Sequence, residues 1–250
     1  MSISERYRQQ YPWRPWGRIY PLLGNLSGQV VLDLGCGIGD QAADLARLGA
    51  EVIGVELNES LVKVARAREI PRARFVCADL SSLALNDVHA NGIWLGFAAA
   101  YFPRIGEELD RWSRSLVPGG WIAVTEVDDL FGHEPLEPRY RELIEEYYAR
   151  SLQEGLHAFR SRDRVHEALV SRGWQIEVQD EFPDLELSFE GPADDAVLSA
   201  WRARLDLMMP RFVERFGEDA SAFRDAFLDC LASKTHRSQA RVWFLMARRP

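Results

Sequence analysis

Cysteine is scarce: Cys36, Cys77 and Cys230 are the only three in 250 residues, widely spaced and without a C-x-x-C pair. That excludes a disulfide framework and a zinc knuckle, and fits a reducing cytoplasm. Long apolar runs are missing too. The longest, Gly92 to Phe102, is too short to cross a bilayer, and the polar start from Met1 to Gln10 is unlike a secretory leader. Positive charge is the third shortage, with 30 Lys and Arg against 38 Asp and Glu and a net charge of -8. Such a surface repels a phosphate backbone. A cytoplasmic protein with no nucleic-acid and no membrane partner is expected. Repeats, low-complexity tracts and linkers are absent, so the chain is read as one domain whose 47% hydrophobic residues suffice for a large core.

From Gln29 to Val127 short β-rich runs alternate with helix-like segments, the pattern of βαβ units around a parallel sheet. Val30 to Leu34, apolar apart from Asp33, runs into Gly35-Cys36-Gly37-Ile38-Gly39, and Asp40 then caps a helix that Gly49 stops. Glu51 to Val55 is a second strand closed by Glu56, after which Asn58 caps a helix reaching about Arg68, ahead of Pro71. Arg74 to Cys77, the near-continuously apolar Gly92 to Phe97, and Trp121 to Glu126 add three strands, with a helix over Pro103 to Leu116. Past Val127 helices dominate: Pro138 to Glu154, Ser161 to Arg172, Ala193 to Phe216 and Asp219 to Ala232. Strand-like Trp174 to Phe182, Leu185 to Phe189 and Arg241 to Ala247 interrupt them.

An open α/β sheet binds ligands beyond the carboxyl ends of its strands, so polar residues at strand ends matter most. Asp33, Glu56, Asp79 and the Gly96-Phe97 pair all stand there. Gly35, Gly37 and Gly39 allow a tight turn and close backbone approach. A carboxylate such as Glu56 can grip both ribose hydroxyls, and Asp79 can accept from the exocyclic amine of adenine. The spacing is G-x-G-x-G rather than G-x-G-x-x-G, and Asp33 sets a negative charge beside the loop, so an adenosine with a cationic tail fits better than a pyrophosphate.

The run Val31-Leu32-Asp33-Leu34-Gly35-Cys36-Gly37-Ile38-Gly39 resembles the first motif of class I S-adenosylmethionine-dependent methyltransferases. Glu56 in V-I-G-V-E-L, Asp79 in F-V-C-A-D-L, and L-V-P-G-G-W-I-A-V before Thr125 are similar to later motifs of that family. The resemblance covers residues 28–127, and more loosely the closing strands. It implies an α/β, Rossmann-like seven-stranded sheet of order 3-2-1-4-5-7-6, mostly parallel with the last strand antiparallel, with helical lid insertions. It also implies S-adenosyl-L-methionine as cofactor, touched by Asp33, Gly35, Cys36, Gly37, Glu56, Leu57, Asp79, Leu80, Phe97 and Tyr11. Two departures stand out. Asn91-Gly92 replaces the Asp often found at the start of the fourth strand, and the D/N-P-P-Y/F motif of nucleic-acid amino-methylating enzymes is absent.

The expected layout is an N-terminal lid over 1–27, a cofactor-binding core over 28–127, helical acceptor lids over 128–172 and 191–237, and closing strands within 174–190 and 238–248. The acceptor is expected to be a small molecule, methylated at O, N or C. His133, after the fifth strand, is the first candidate base and Tyr101 the second. Tyr140, Tyr147, Trp201 and Met208 are the expected acceptor wall. Cys77 and Cys230 read as core, Glu126, Asp128 and Asp129 as solvated charge rather than magnesium ligands, and Arg160, Arg162 and Arg164 as a charged helix start. A nicotinamide-dependent oxidoreductase, a non-catalytic cofactor-binding module and other sulfonium chemistry such as a cyclisation are the alternatives.

Overall fold

The computed structural model describes residues 2–82 and 88–250. Its main sheet contains β1 (Val30–Leu34), β2 (Glu51–Glu56), β3 (Ala73–Cys77), β4 (Ala90–Gly96), β5 (Leu116–Asp128), β7 (Gln175–Phe182) and β9 (Arg241–Arg248). A separate ribbon pairs β6 (His133–Glu134) with β8 (Arg237–Ser238). The large sheet runs β3-β2-β1-β4-β5-β9-β7. Counting only its own strands, that is the expected 3-2-1-4-5-7-6. The first five strands are parallel, and β9 lies antiparallel to both β5 and β7.

Alternation along each strand feeds two cores, because successive side chains point to opposite faces. Leu32, Leu34, Ile53, Val55, Ile93, Leu95, Ile122 and Val124 pack on one face against α5 (Ile105–Trp112) and α7 (Arg162–Val170). Val31, Val52, Trp94, Trp121, Ala123 and Phe244 face the other way, against α3 (Asp40–Arg47) and α4 (Glu59–Arg66). Asn58 caps α4 as its sequence foretells, its side chain accepting from the Ser60 N–H at 3.0 Å.

The N-terminal segment divides in a way that a single lid over 1–27 does not describe. α1 (Ile3–Gln10) buries no residue, whereas Trp16, Ile19, Tyr20, Leu23 and Leu26 belong to the second core. Among the described residues of this segment, α1 lies outside the core and carries the Tyr7 ring against Gly37. Trp16 lies on α2 (Trp16–Ile19), next to the short turn that follows it.

A third core lies apart from the sheet faces. It joins α6 (Pro138–Gln153), α8 (Asp195–Phe216) and α9 (Asp219–Ala232) around Phe131, Tyr147, Trp201, Phe212, Phe223 and Phe227. Two sequence expectations fail here and nearby. Leu185 to Phe189 is no strand, because the Asp184 carboxylate accepts from the N–H groups of Glu186 and Leu187 at 2.8 and 2.7 Å and curls the chain into a turn. Cys77 is exposed at the end of β3 rather than in the core, while Cys230 is buried.

Candidate active site

The glycine loop after β1 takes the left-handed backbone that its composition calls for, with φ of +83°, +53° and +79° at Gly35, Gly37 and Gly39. The N–H groups of Gly35 and Cys36 both donate to the Val55 carbonyl, at 2.8 and 3.1 Å, and tie the loop to β2. Space around it is tight. A Cβ on Gly35 would stand 2.8 Å from the Ala98 side chain, and one on Gly37 would stand 3.1 Å from the Tyr7 ring. α1 therefore lays an aromatic ring over the loop.

Glu56, at the carboxyl end of β2, is held in one orientation. Its Oε2 accepts from the Gly37 N–H at 3.1 Å and its Oε1 from the Asn58 N–H at 2.9 Å. Asp79 is exposed after β3 and accepts from both the N–H and the hydroxyl of Ser81, which holds its carboxyl below the usual carboxylate range. Leu57 beside Glu56 is exposed, and Leu80 beside Asp79 is buried. Phe97 follows β4 with φ +55°, its N–H donating to the Thr125 carbonyl at 2.8 Å.

Asp33 is the anomaly of this set. It is buried beside the loop, and neither carboxyl oxygen has a hydrogen-bond partner. Burial, and then the negative charge of Glu56, push it up to about 8. Two acids next to a backbone loop that only glycine can form make a site short of positive charge. A ligand bearing both an adenosine and a cationic centre satisfies that shortage, and a pyrophosphate aggravates it.

Across the sheet ends from the loop lies a buried ionic cluster that the sequence did not announce. Arg14 donates from Nη1 to both Asp184 oxygens at 3.1 Å and from Nη2 to Glu186 at 2.6 Å, and Arg204 donates from Nη2 to Glu186 at 2.7 Å. The Arg14 guanidinium sits 5.2 Å above the Phe97 ring. Glu126, at the end of β5, is buried rather than solvated and accepts from the N–H groups of Ala100 and Val127. Burial pushes its carboxyl up to about 7. Among the described residues no group of three or more His, Cys, Asp or Glu side chains could hold a metal ion.

His133 does not occupy the position expected of a base. It is buried on the ribbon, its Nδ1 is 2.9 Å from the His236 Nε2, and the rings of Trp201 and Phe227 stand edge-on to it. Burial lowers it to about 3, so uptake of a proton near neutrality is disfavoured and it is a poor base. Tyr101 is 64% exposed on the turn after β4 and packs edge-on against His157.

The expected acceptor wall is partly lid core. Tyr140, Tyr147 and Trp201 are buried in the third cluster, with the Trp201 indole donating to the Glu186 carbonyl, while Met208 is half-buried. Tyr11 turns its hydroxyl to Asp44 and Tyr20, and the ring at the loop is Tyr7. Arg160 pairs with Glu145, Arg162 with Glu181, and Arg164 donates to the Pro103 carbonyl. Tyr7, Arg14 and Arg204 are the residues that sequence reasoning missed. The alternation of Tyr, Trp and Arg over 7–20 was the only signal for the first two.

A family model for the methyltransferase domain matches residues 32–124. A demethylmenaquinone methyltransferase of Clavibacter sepedonicus is 32% identical over 103 residues, which are 40% of this chain and 42% of the relative. The chain thus spans less than half the length of that curated relative. Two solved structures share the fold. An S-adenosylmethionine dependent methyltransferase from Mesorhizobium loti superposes with a TM-score of 0.57 at 20% identity, covering 94% of this chain and 97% of that one. A Haemonchus contortus phosphoethanolamine N-methyltransferase 2 in complex with S-adenosyl-L-methionine gives 0.59 at 19% identity, covering 100% and 57%. Motif, sheet order and matched segment agree, and residues 32–124 match the methyltransferase domain.

Proposed function

We propose that the protein transfers a methyl group from S-adenosylmethionine to a small-molecule acceptor. The observation that carries this reading is the pairing of a glycine-formed loop with two acids, Glu56 oriented by two backbone N–H groups and Asp33 buried without a partner. Glu56 would hold the ribose hydroxyls, Asp79 the adenine amine, and the loop from Gly35 to Gly37, with Cys36, the methionine moiety. Leu57, Leu80 and Phe97 would flank the base and ribose. When bound, the cofactor supplies an electrophilic methyl group on a sulfonium. The chain's own part is mostly orientation, which can supply ~7–11 kcal/mol of a barrier when two reactants are fixed in line.

Tyr101, exposed on the turn after β4, would hold the acceptor. A phenol is protonated at neutral pH, so Tyr101 acts as a hydrogen-bond donor or acceptor rather than a strong base. A protonated nucleophile would pass its proton to solvent, with Tyr101 orienting it by a hydrogen bond. A small-molecule acceptor agrees with the quinone precursor named for the Clavibacter relative. No described helix is long and apolar enough to cross a membrane.

Calorimetric titration with S-adenosylhomocysteine, with NADH in parallel, tests the reading. Micromolar binding of the first ligand alone is expected, weakened at least tenfold (~1.4 kcal/mol) by Glu56→Ala. Tight NADH binding with no affinity for S-adenosylhomocysteine would overturn it in favour of an oxidoreductase.

A further inference from the structure

The lid face that looks toward Tyr101 is rich in unmatched donors. The Arg204 Nη1 is buried without a hydrogen-bond partner, and so is the Nδ1 of His157, whose ring packs 4.9 Å from Tyr101. Arg211, seven residues along α8 and so on the same face, makes no ion pair among the described residues. It stands within hydrogen-bonding reach of the Tyr147 hydroxyl, and its charge bears on Tyr101 and His157. The nearby carboxylates are committed. Asp184 and Glu186 balance Arg14 and Arg204, and Glu126 is bound to backbone N–H groups. Arg211 leaves the region one positive charge in excess.

Building on the methyltransferase reading, we infer that the acceptor carries a carboxylate, seated on α8 between Arg204 and Arg211 and flanked by Tyr101 and His157. A single negative charge completes the balance. A phosphate dianion would overshoot it beside Glu126, whose buried carboxyl already resists ionisation. The orphaned Arg204 donor gains a partner, since a buried guanidinium hydrogen is best satisfied by an anion. The arginines would thereby fix the acceptor's distal end and leave its nucleophilic atom toward Tyr101 and the cofactor loop. Arg204 and Arg211 are therefore specificity residues, not reacting groups.

Benzoate, 2-naphthoate and octanoate, each beside its primary amide, and phenyl phosphate form the probe set. Binding is followed by tryptophan fluorescence in the presence of S-adenosylhomocysteine, with Trp201 stacked under Arg204 as reporter. At least one acid is expected to bind tenfold or more tighter than its amide. Arg211→Gln, at an exposed position without an ion-pair partner, is expected to remove most of that preference, as is Arg204→Gln if its far-ultraviolet circular dichroism matches the parent. Amides that bind as well as acids, acids indifferent to Arg211→Gln, or phenyl phosphate binding tighter than benzoate would each overturn the inference. Failure of S-adenosylhomocysteine to bind, with an Arg211-dependent acid preference intact, would instead sink the methyltransferase reading and leave the carboxylate site standing.

Discussion

Asp33 is a carboxyl group in an interior that offers it nothing to bond with. The folded chain therefore keeps a proton that the unfolded chain gives up near the ordinary carboxyl value. Its contribution to stability is fully present below pH 4 and is lost as pH rises toward about 8, the folded value. Asp33→Asn removes the titration. The variant's melting temperature, measured without ligand, should gain on the parent's steadily from pH 4 to 8 and by a constant amount beyond. A difference that does not change with pH would show that Asp33 is already ionised and partnered. The same residue illustrates what a sequence can disclose. Asp33, the glycine loop, Glu56 and Asp79 are legible because each sits at the end of a strand within one contiguous stretch, where local backbone geometry fixes its place. Their partners are not all legible: that Tyr7 covers Gly37 depends on where a helix of the N-terminal segment docks.

At the scale of elements, the fold was readable wherever periodicity had one solution. The helices over 138–153, 195–216 and 219–232 and the apolar strand over 241–248 fall within a few residues of expectation. The acceptor side was not readable, because its ionic cluster joins Arg14, Glu186 and Arg204, residues 172 and 18 apart along the chain. No local pattern marks such a meeting. His133 failed for a related reason: its position after β5 suggests a mouth, but α8 and α9 pack over it. That burial has a consequence for acid stability. A histidine lowered from 6.5 to about 3 contributes stability that is full above pH 6.5 and is lost as pH falls toward 3. His133→Gln, which keeps a hydrogen-bonding group without the titration, should melt with a shallower pH slope than the parent between pH 6.5 and 4. Parallel slopes would mean that the ribbon opens before His133 can be protonated.

Across the whole molecule, stability and ligand affinity are separable. α1 buries no residue, yet its Tyr7 ring lies against the cofactor loop, while the apolar residues of 16–26 are part of a core. Deleting residues 2–10 should leave the melting temperature of the ligand-free protein within about 4 °C, the shift a ~1 kcal/mol change produces in a domain of this size. The same deletion should weaken S-adenosylhomocysteine at least fivefold. A large loss of melting temperature would show instead that α1 is a structural element of the sheet domain.

The order of the large sheet also governs how it is made. β9 lies between β5 and β7, although it is the last of the three to leave the ribosome, beginning at Arg241 where β5 ends at Asp128. Until it arrives, β5 and β7 each expose an open edge, and the acidic side chains along β7, Glu177, Asp180 and Glu181, are the charge that discourages that edge from pairing with a stranger. The nascent chain can close its nucleotide half early, but the sheet is completed only when a late strand is threaded into a gap. Slow completion of the sheet is expected from that topology, because its last pairing joins segments more than a hundred residues apart.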